Sequence, residues 1–100
     1  MHLFSGTQHE PALQLSEKLL SLSPFGHQHC FFGCTGSDAT DTAIKLARHY
    51  WSAKGKPQKN IIVARRSTYH GTTFGALTLM GHDDYQEPYG PLVGRMHRLP

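Results

Sequence analysis

A chain of 100 residues holds one small domain. Its moderate hydrophobicity, sparse charge and lack of low-complexity runs are those of a globular chain, with no run near the ~20 apolar residues of a membrane span. The net charge of +3 is mild. Its basic clusters (Lys54, Lys56 and Lys59; Arg65 and Arg66; Arg95 and Arg98) are interrupted by Pro, Gly and acids, unlike the dense basic face of a nucleic-acid binder.

The opening Met1-His2-Leu3-Phe4-Ser5-Gly6 lacks the basic and apolar regions of a secretion signal, so the cytoplasm is the expected compartment. Residues 11 to 22 predict an amphipathic helix. Pro11 suits its first position, where the missing N–H costs nothing, and Ala12, Leu15, Leu19 and Leu22 form one stripe. Pro24 stops it, with Gly26 beyond. His29 to Gly33, with Phe31 and Phe32, reads as a short buried strand. His27, His29 and Cys30 suggest a metal, but they give no convergent ligand set. The spacing of Cys30 and Cys34 is poor for zinc, and no second pair follows. No metal site is expected.

Residues 37 to 53 predict the strongest helix. Ala39, Ala43, Leu46, Ala47 and Tyr50 recur at helical spacing, widened by Ile44 and Trp51. Asp41 and Lys45 make an i,i+4 pair on the opposite side. Lys54 falls in the last turn, Gly55 suits a left-handed C-cap, and Pro57 prevents continuation. Asn60 to Ala64 holds unbroken Ile61-Ile62-Val63, the pattern of a strand buried on both faces. Residues 67 to 71 predict a loop and residues 73 to 80 a closely packed helix. Gly81 to Pro100 reads as irregular. The order helix, strand, helix, strand, helix predicts an α/β protein with a mainly parallel sheet.

Chemistry concentrates in two turns. In Phe31-Phe32-Gly33-Cys34-Thr35-Gly36-Ser37-Asp38 a strand passes through a Gly-containing turn into a long helix. The first N–H groups of such a helix lack internal partners and carry the positive end of the macrodipole. Thr35 and Ser37 add hydroxyls, and Gly36 lets a ligand approach the backbone, which suits a phosphate. The same residues also read as a capping box, with Thr35 and Asp38 closing the helix start and binding nothing. The turn is neither a Walker A loop nor a dinucleotide fingerprint. The second turn, Arg65-Arg66-Ser67-Thr68-Tyr69-His70-Gly71, also follows a predicted strand, so the two turns are expected on one sheet edge. Tyr69 can stack on a flat heteroaromatic ring, or simply be a half-buried loop tyrosine.

The run Phe-Phe-x-x-Thr-Gly-Ser-Asp-Ala-x-Asp-Thr-Ala-Ile-Lys-Leu-Ala-Arg resembles the phosphate-loop segment of class III (omega) aminotransferases. Tyr69-His70-Gly71-Thr72-Thr73, then Gly75-Ala76-Leu77 and Gly81, is similar to the same family's next signature, and Thr7-x-His9-Glu10-Pro11-Ala12 to its lead-in helix. The resemblance runs in order along essentially the whole chain. It implies an α/β fold, part of the fold type I aminotransferase large domain. Residues 1–100 would form an incomplete cofactor-binding domain, with no second domain. It implies pyridoxal 5'-phosphate as cofactor. Thr35, Gly36 and Ser37 would hold its phosphate, Tyr69 would stack on its ring, and His70 and Gly71 would shape the wall beside it. The implied reaction moves an amino group between an amine or amino acid and an oxo acid or aldehyde, in a homodimer.

Two departures from the family pattern stand out. Cys34 replaces a commonly polar residue, and Asp38 replaces a more common Glu. The family's Schiff-base lysine and its acidic partner for the pyridine nitrogen have no match. Lys18, Lys45, Lys54, Lys56 and Lys59 all fall on expected solvated faces or turns, whereas an active-site lysine needs a desolvated or cation-flanked pocket. The chain is therefore expected to supply the phosphate loop and stacking segment without a catalytic residue, as an interior fragment that is inactive alone. The competing expectation is a stand-alone, non-catalytic binding or interaction module built from that segment.

Overall fold

The structure, a computed structural model, describes residues 8–100. They divide into two compact units between Phe32 and Gly33. In the first, α1 (Glu10–Leu22) is capped by His9, whose Nδ1 accepts from the Ala12 N–H at 3.2 Å. Pro11 sits in the first turn, as its missing donor requires. The predicted stripe of Leu15, Leu19 and Leu22 is exposed. The run from His29 to Gly33 is not a strand, and Phe31 and Phe32 are exposed rather than buried. A strand must satisfy its N–H and C=O groups on a neighbour. The one sheet among the described residues has two strands, and this run is neither.

The second unit is built on α2 (Gly36–Ala53), β1 (Ile62–Arg65), α3 (Phe74–Leu79), α4 (Asp83–Gln86), a 3₁₀ turn (Glu87–Tyr89) and β2 (Met96–Leu99). The strands pair in parallel, Ile62 opposite Met96 through Arg65 opposite Leu99, with α3 and α4 in the crossover. This is a βαβ unit, the connection parallel strands demand. Gly55, at φ 71, takes the left-handed position after α2 that ends the helix.

Three sequence expectations are corrected here. Gly81 to Pro100 is not irregular throughout, since it contains α4 and β2. The strand expected over Asn60 to Ala64 begins two residues later, at Ile62, and Ile61 and Val63 are exposed, so it is not buried on both faces. The third concerns the rotation of α2. Ala39, Ala43, Leu46, Ala47 and Tyr50 face solvent, while Ser37, Thr40, Asp41, Ile44 and Arg48 turn inward. The inward face is largely polar because it packs against backbone. Asp41 Oδ1 accepts from the Ala76 N–H at 2.9 Å, and Arg48 donates from Nε to Asn60 O (3.0 Å) and from Nη2 to Gly94 O (2.8 Å). Arg48 thus ties the later half of α2 to the residues entering β1 and β2. The start of α2 is left beside the loop that leaves β1.

The core lies around α3, where Ala76, Leu77 and Leu79 are buried together with Met80 and Ile44. Each of the larger side chains contributes about 1.5–3 kcal/mol by leaving water. Thr73 offers α3 no side-chain cap, and Asp41 supplies one from α2. At the other end, buried Gln86 donates from Nε2 to Leu77 O (2.7 Å) and Met80 O (2.6 Å). Arg98 Nη1 holds the Gln86 Oε1 at 2.8 Å and pairs with Asp83 at 3.0 Å. The orphan carbonyls of a short helix end are satisfied this way.

Candidate functional site

The two turns singled out in the sequence meet. Thr35, Gly36, Ser37, Tyr69, His70 and Gly71 all line one open cleft of about 580 Å³. Thr40, Thr72 and Thr73 complete its wall. The sequence reading gave these three no role. The signal for Thr40 was its place one helical turn beyond Gly36 and Ser37 on the same face of α2.

Of the two readings of the first turn, capping or phosphate binding, the structure shows the capping bonds directly. Thr35 Oγ1 accepts from the Asp38 N–H at 3.1 Å, and Asp38 Oδ2 accepts from the Cys34 N–H at 3.0 Å. This is a capping arrangement in which the shorter Asp reaches the residue before the N-cap. Ala39 N–H then bonds to Thr35 O at 3.2 Å, the first full helical bond. Capping therefore consumes the Asp38 donor, while the N–H groups of Gly36 and Ser37 have no partner among the described residues. A Cβ built on Gly36 meets nothing within 4 Å, so the space beside this backbone is open.

Ser37 has a defined hydroxyl polarity. Its Oγ accepts from the Thr72 N–H at 2.9 Å, so its one proton remains to be donated elsewhere. The second loop closes against the same helix turn. Thr40 Oγ1 lies 3.0 Å from both Gly36 O and His70 O. Gly71 is buried at φ 128, and a Cβ there would meet Ser37 Oγ at 2.5 Å and Ser37 Cα at 2.9 Å. Only glycine fits that approach. Tyr69 is 71% exposed on the cleft wall. None of the five lysines lines the cleft.

The donor set suits a phosphate monoester. It consists of two free backbone N–H groups at the positive end of an 18-residue helix, a serine hydroxyl with its proton to give, and a glycine that leaves room. An exposed aromatic ring lies on the same wall.

The family described as Aminotransferase class-III matches across residues 1–100. The chain is 37% identical over 97 residues to a putrescine–pyruvate aminotransferase of Pseudomonas aeruginosa, covering 96% of this chain and 21% of that protein. It superposes with a TM-score of 0.89 and 32% identity on an amine transaminase from an uncultivated Pseudomonas species in its PLP-bound form, covering 99% of this chain and 22% of that one. It superposes with a TM-score of 0.87 and 36% identity on the omega transaminase of Pseudomonas jessenii in complex with PMP, covering 100% and 22%. The chain thus spans about a fifth of the length of the relatives it matches.

Proposed function

Because the chain belongs to the class III aminotransferase family, we propose that it serves as the phosphate-loop and ring-stacking segment of a pyridoxal-phosphate-dependent transaminase. That enzyme moves an amino group between an amine or amino acid and an oxo acid or aldehyde. The observation that carries this reading is the convergence of the α2 start and the Tyr69–Gly71 loop on one cleft.

Within the cleft, Gly36 and Ser37 bind the phosphate through their N–H groups and the Ser37 hydroxyl, with the helix dipole favouring its charge. Thr35 holds the turn in its binding shape by capping Asp38. Tyr69 orients the pyridine ring by stacking, and Gly71 and the backbone of His70 keep the loop close against α2. The cofactor, when bound, supplies an electron sink for charge developing at the amino-bearing carbon. The chain's own part is to hold and orient. Residues 1–100 are read as part of a cofactor-binding large domain, in a cytoplasmic homodimer. Among the described residues no helix is long and apolar enough to cross a membrane.

The test is cofactor retention in the full-length enzyme. Gly36→Val fills the open space beside the helix start and is expected to weaken pyridoxal phosphate binding at least tenfold, read from cofactor absorbance during dialysis. Retention equal to that of the parent would reject the phosphate assignment.

A further inference from the structure

We propose that Thr68 is a positioning residue that fixes the tautomer of His70, so that in the neutral form of this cleft-lining histidine the proton sits on Nε2 and Nδ1 is the bare acceptor. This rests on the reading of the cleft as the cofactor site.

The argument is proton counting. Thr68 Oγ1 lies 2.6 Å from Arg65 O and 2.9 Å from His70 Nε2. A carbonyl oxygen only accepts, and two oxygens rest at 2.6 Å only with a proton between them. The single Thr68 proton therefore goes to Arg65 O. Towards His70 the hydroxyl is left with lone pairs, so Nε2 must carry the hydrogen. In the neutral imidazole the other nitrogen is then unprotonated, and a hydrogen bond at one ring nitrogen sets the role of the other. Among the described residues Nδ1 has no hydrogen-bond partner.

The surrounding backbone makes this a held arrangement. Arg65 O belongs to the last residue of β1, a paired strand, so the acceptor that orients Thr68 is fixed by the sheet. Ser67, at φ 58, turns the chain so that Thr68 comes back over that carbonyl. The His70 carbonyl lies 3.0 Å from Thr40 Oγ1 on α2. His70 is thus anchored at its ring through β1 and at its backbone through α2. In this tautomer Nδ1 accepts and has no hydrogen to give, whereas a phosphate oxygen chiefly accepts. The phosphate contacts fall to Gly36 and Ser37, and the His70 ring is reserved for a hydrogen-bond donor.

The experiment is long-range ¹H–¹⁵N correlation of the histidine rings in ¹⁵N-histidine-labelled full-length enzyme. His70→Asn identifies the His70 signals. Spectra are taken without cofactor and again with pyridoxal phosphate. The expected result is the Nε2–H pattern for His70, retained in Thr68→Ser and replaced by a mixture of both tautomers in Thr68→Val. A dominant Nδ1–H pattern in the parent overturns the proposal. So does a Thr68→Val spectrum identical to the parent. If Thr68→Val does not fold, Thr68→Ala, which also removes the hydroxyl, is read in its place. The tautomer is read in cofactor-free enzyme, whereas cofactor binding is read separately from its absorbance. Failure of one reading is therefore distinct from failure of the other.

Discussion

Gly71 and Ser37 occupy each other's space, and that contact decides what each position tolerates. Gly71→Ala combines a left-handed backbone with a methyl at 2.5 Å from Ser37 Oγ. Because the methyl meets backbone at Ser37 Cα as well, the loop itself must move. The expected outcome in full-length enzyme is a larger loss of cofactor affinity than Ser37→Ala causes, with a lowered melting temperature. An affinity equal to the parent's would show that the loop need not sit against α2. Tyr69 is tested differently. Tyr69→Phe keeps the ring and should keep most transaminase activity, whereas Tyr69→Ala should lose much more. If the two variants behave alike in steady-state assays, stacking is not what Tyr69 does. At this scale the sequence was informative, since Thr35, Gly36, Ser37, Tyr69, His70 and Gly71 all reach one cleft. Thr72 and Thr40 escaped notice because their roles exist only across the fold. The Ser37–Thr72 and Thr40–His70 bonds join residues more than two dozen positions apart.

The element that organises the site is α2, and its packing inverts the usual rule. An apolar stripe normally marks the buried face. Here the inward face carries Ser37, Thr40, Asp41 and Arg48 because its neighbours are backbone N–H and C=O groups of the 60–76 segment and Gly94. The helix limits were legible from Thr35, Gly55 and Pro57, but the rotation was not. Asp41 read as a solvent-side partner of Lys45 and is instead the cap of α3. Asp41→Ala should cost about 0.5–2 kcal/mol, the range for a lost N-cap. Asp41→Asn, which keeps an acceptor oxygen, should cost less. Chemical denaturation of the full-length variants checks the order, and equal stability of all three forms would remove the capping role. β2 was missed for a local reason. Met96-His97-Arg98-Leu99 lacks a run of β-branched residues, and its strand character comes from pairing with β1.

At the scale of the molecule, few side chains among the described residues are buried and many large apolar ones are exposed, among them Val63 and Leu99 on the strands and Leu46 on α2. Exposed apolar faces and unpaired strand edges invite association. The polypeptide of residues 1–100 alone is expected to bind a hydrophobic dye, to associate as its concentration rises, and to show no amino transfer. Borohydride reduction in the presence of pyridoxal phosphate should label its five lysines weakly and without preference. Stoichiometric labelling of one lysine with turnover would contradict this. The fold class was legible because alternating apolar runs and capped helices are local signals. The small extent of the core was not, because burial depends on what covers each face. The central claim is that the α2 start and the Tyr69–Gly71 loop form a phosphate site, and it is tested by whether the loss on mutation depends on the phosphate. Binding of pyridoxal phosphate and of pyridoxal, its dephosphorylated counterpart, is to be measured in full-length parent and Ser37→Ala enzymes. A lost hydrogen bond to a charged group predicts a decrease of about 1.5–3 kcal/mol for pyridoxal phosphate, with pyridoxal affinity essentially unchanged. Equal losses for both compounds, or none for either, would contradict it.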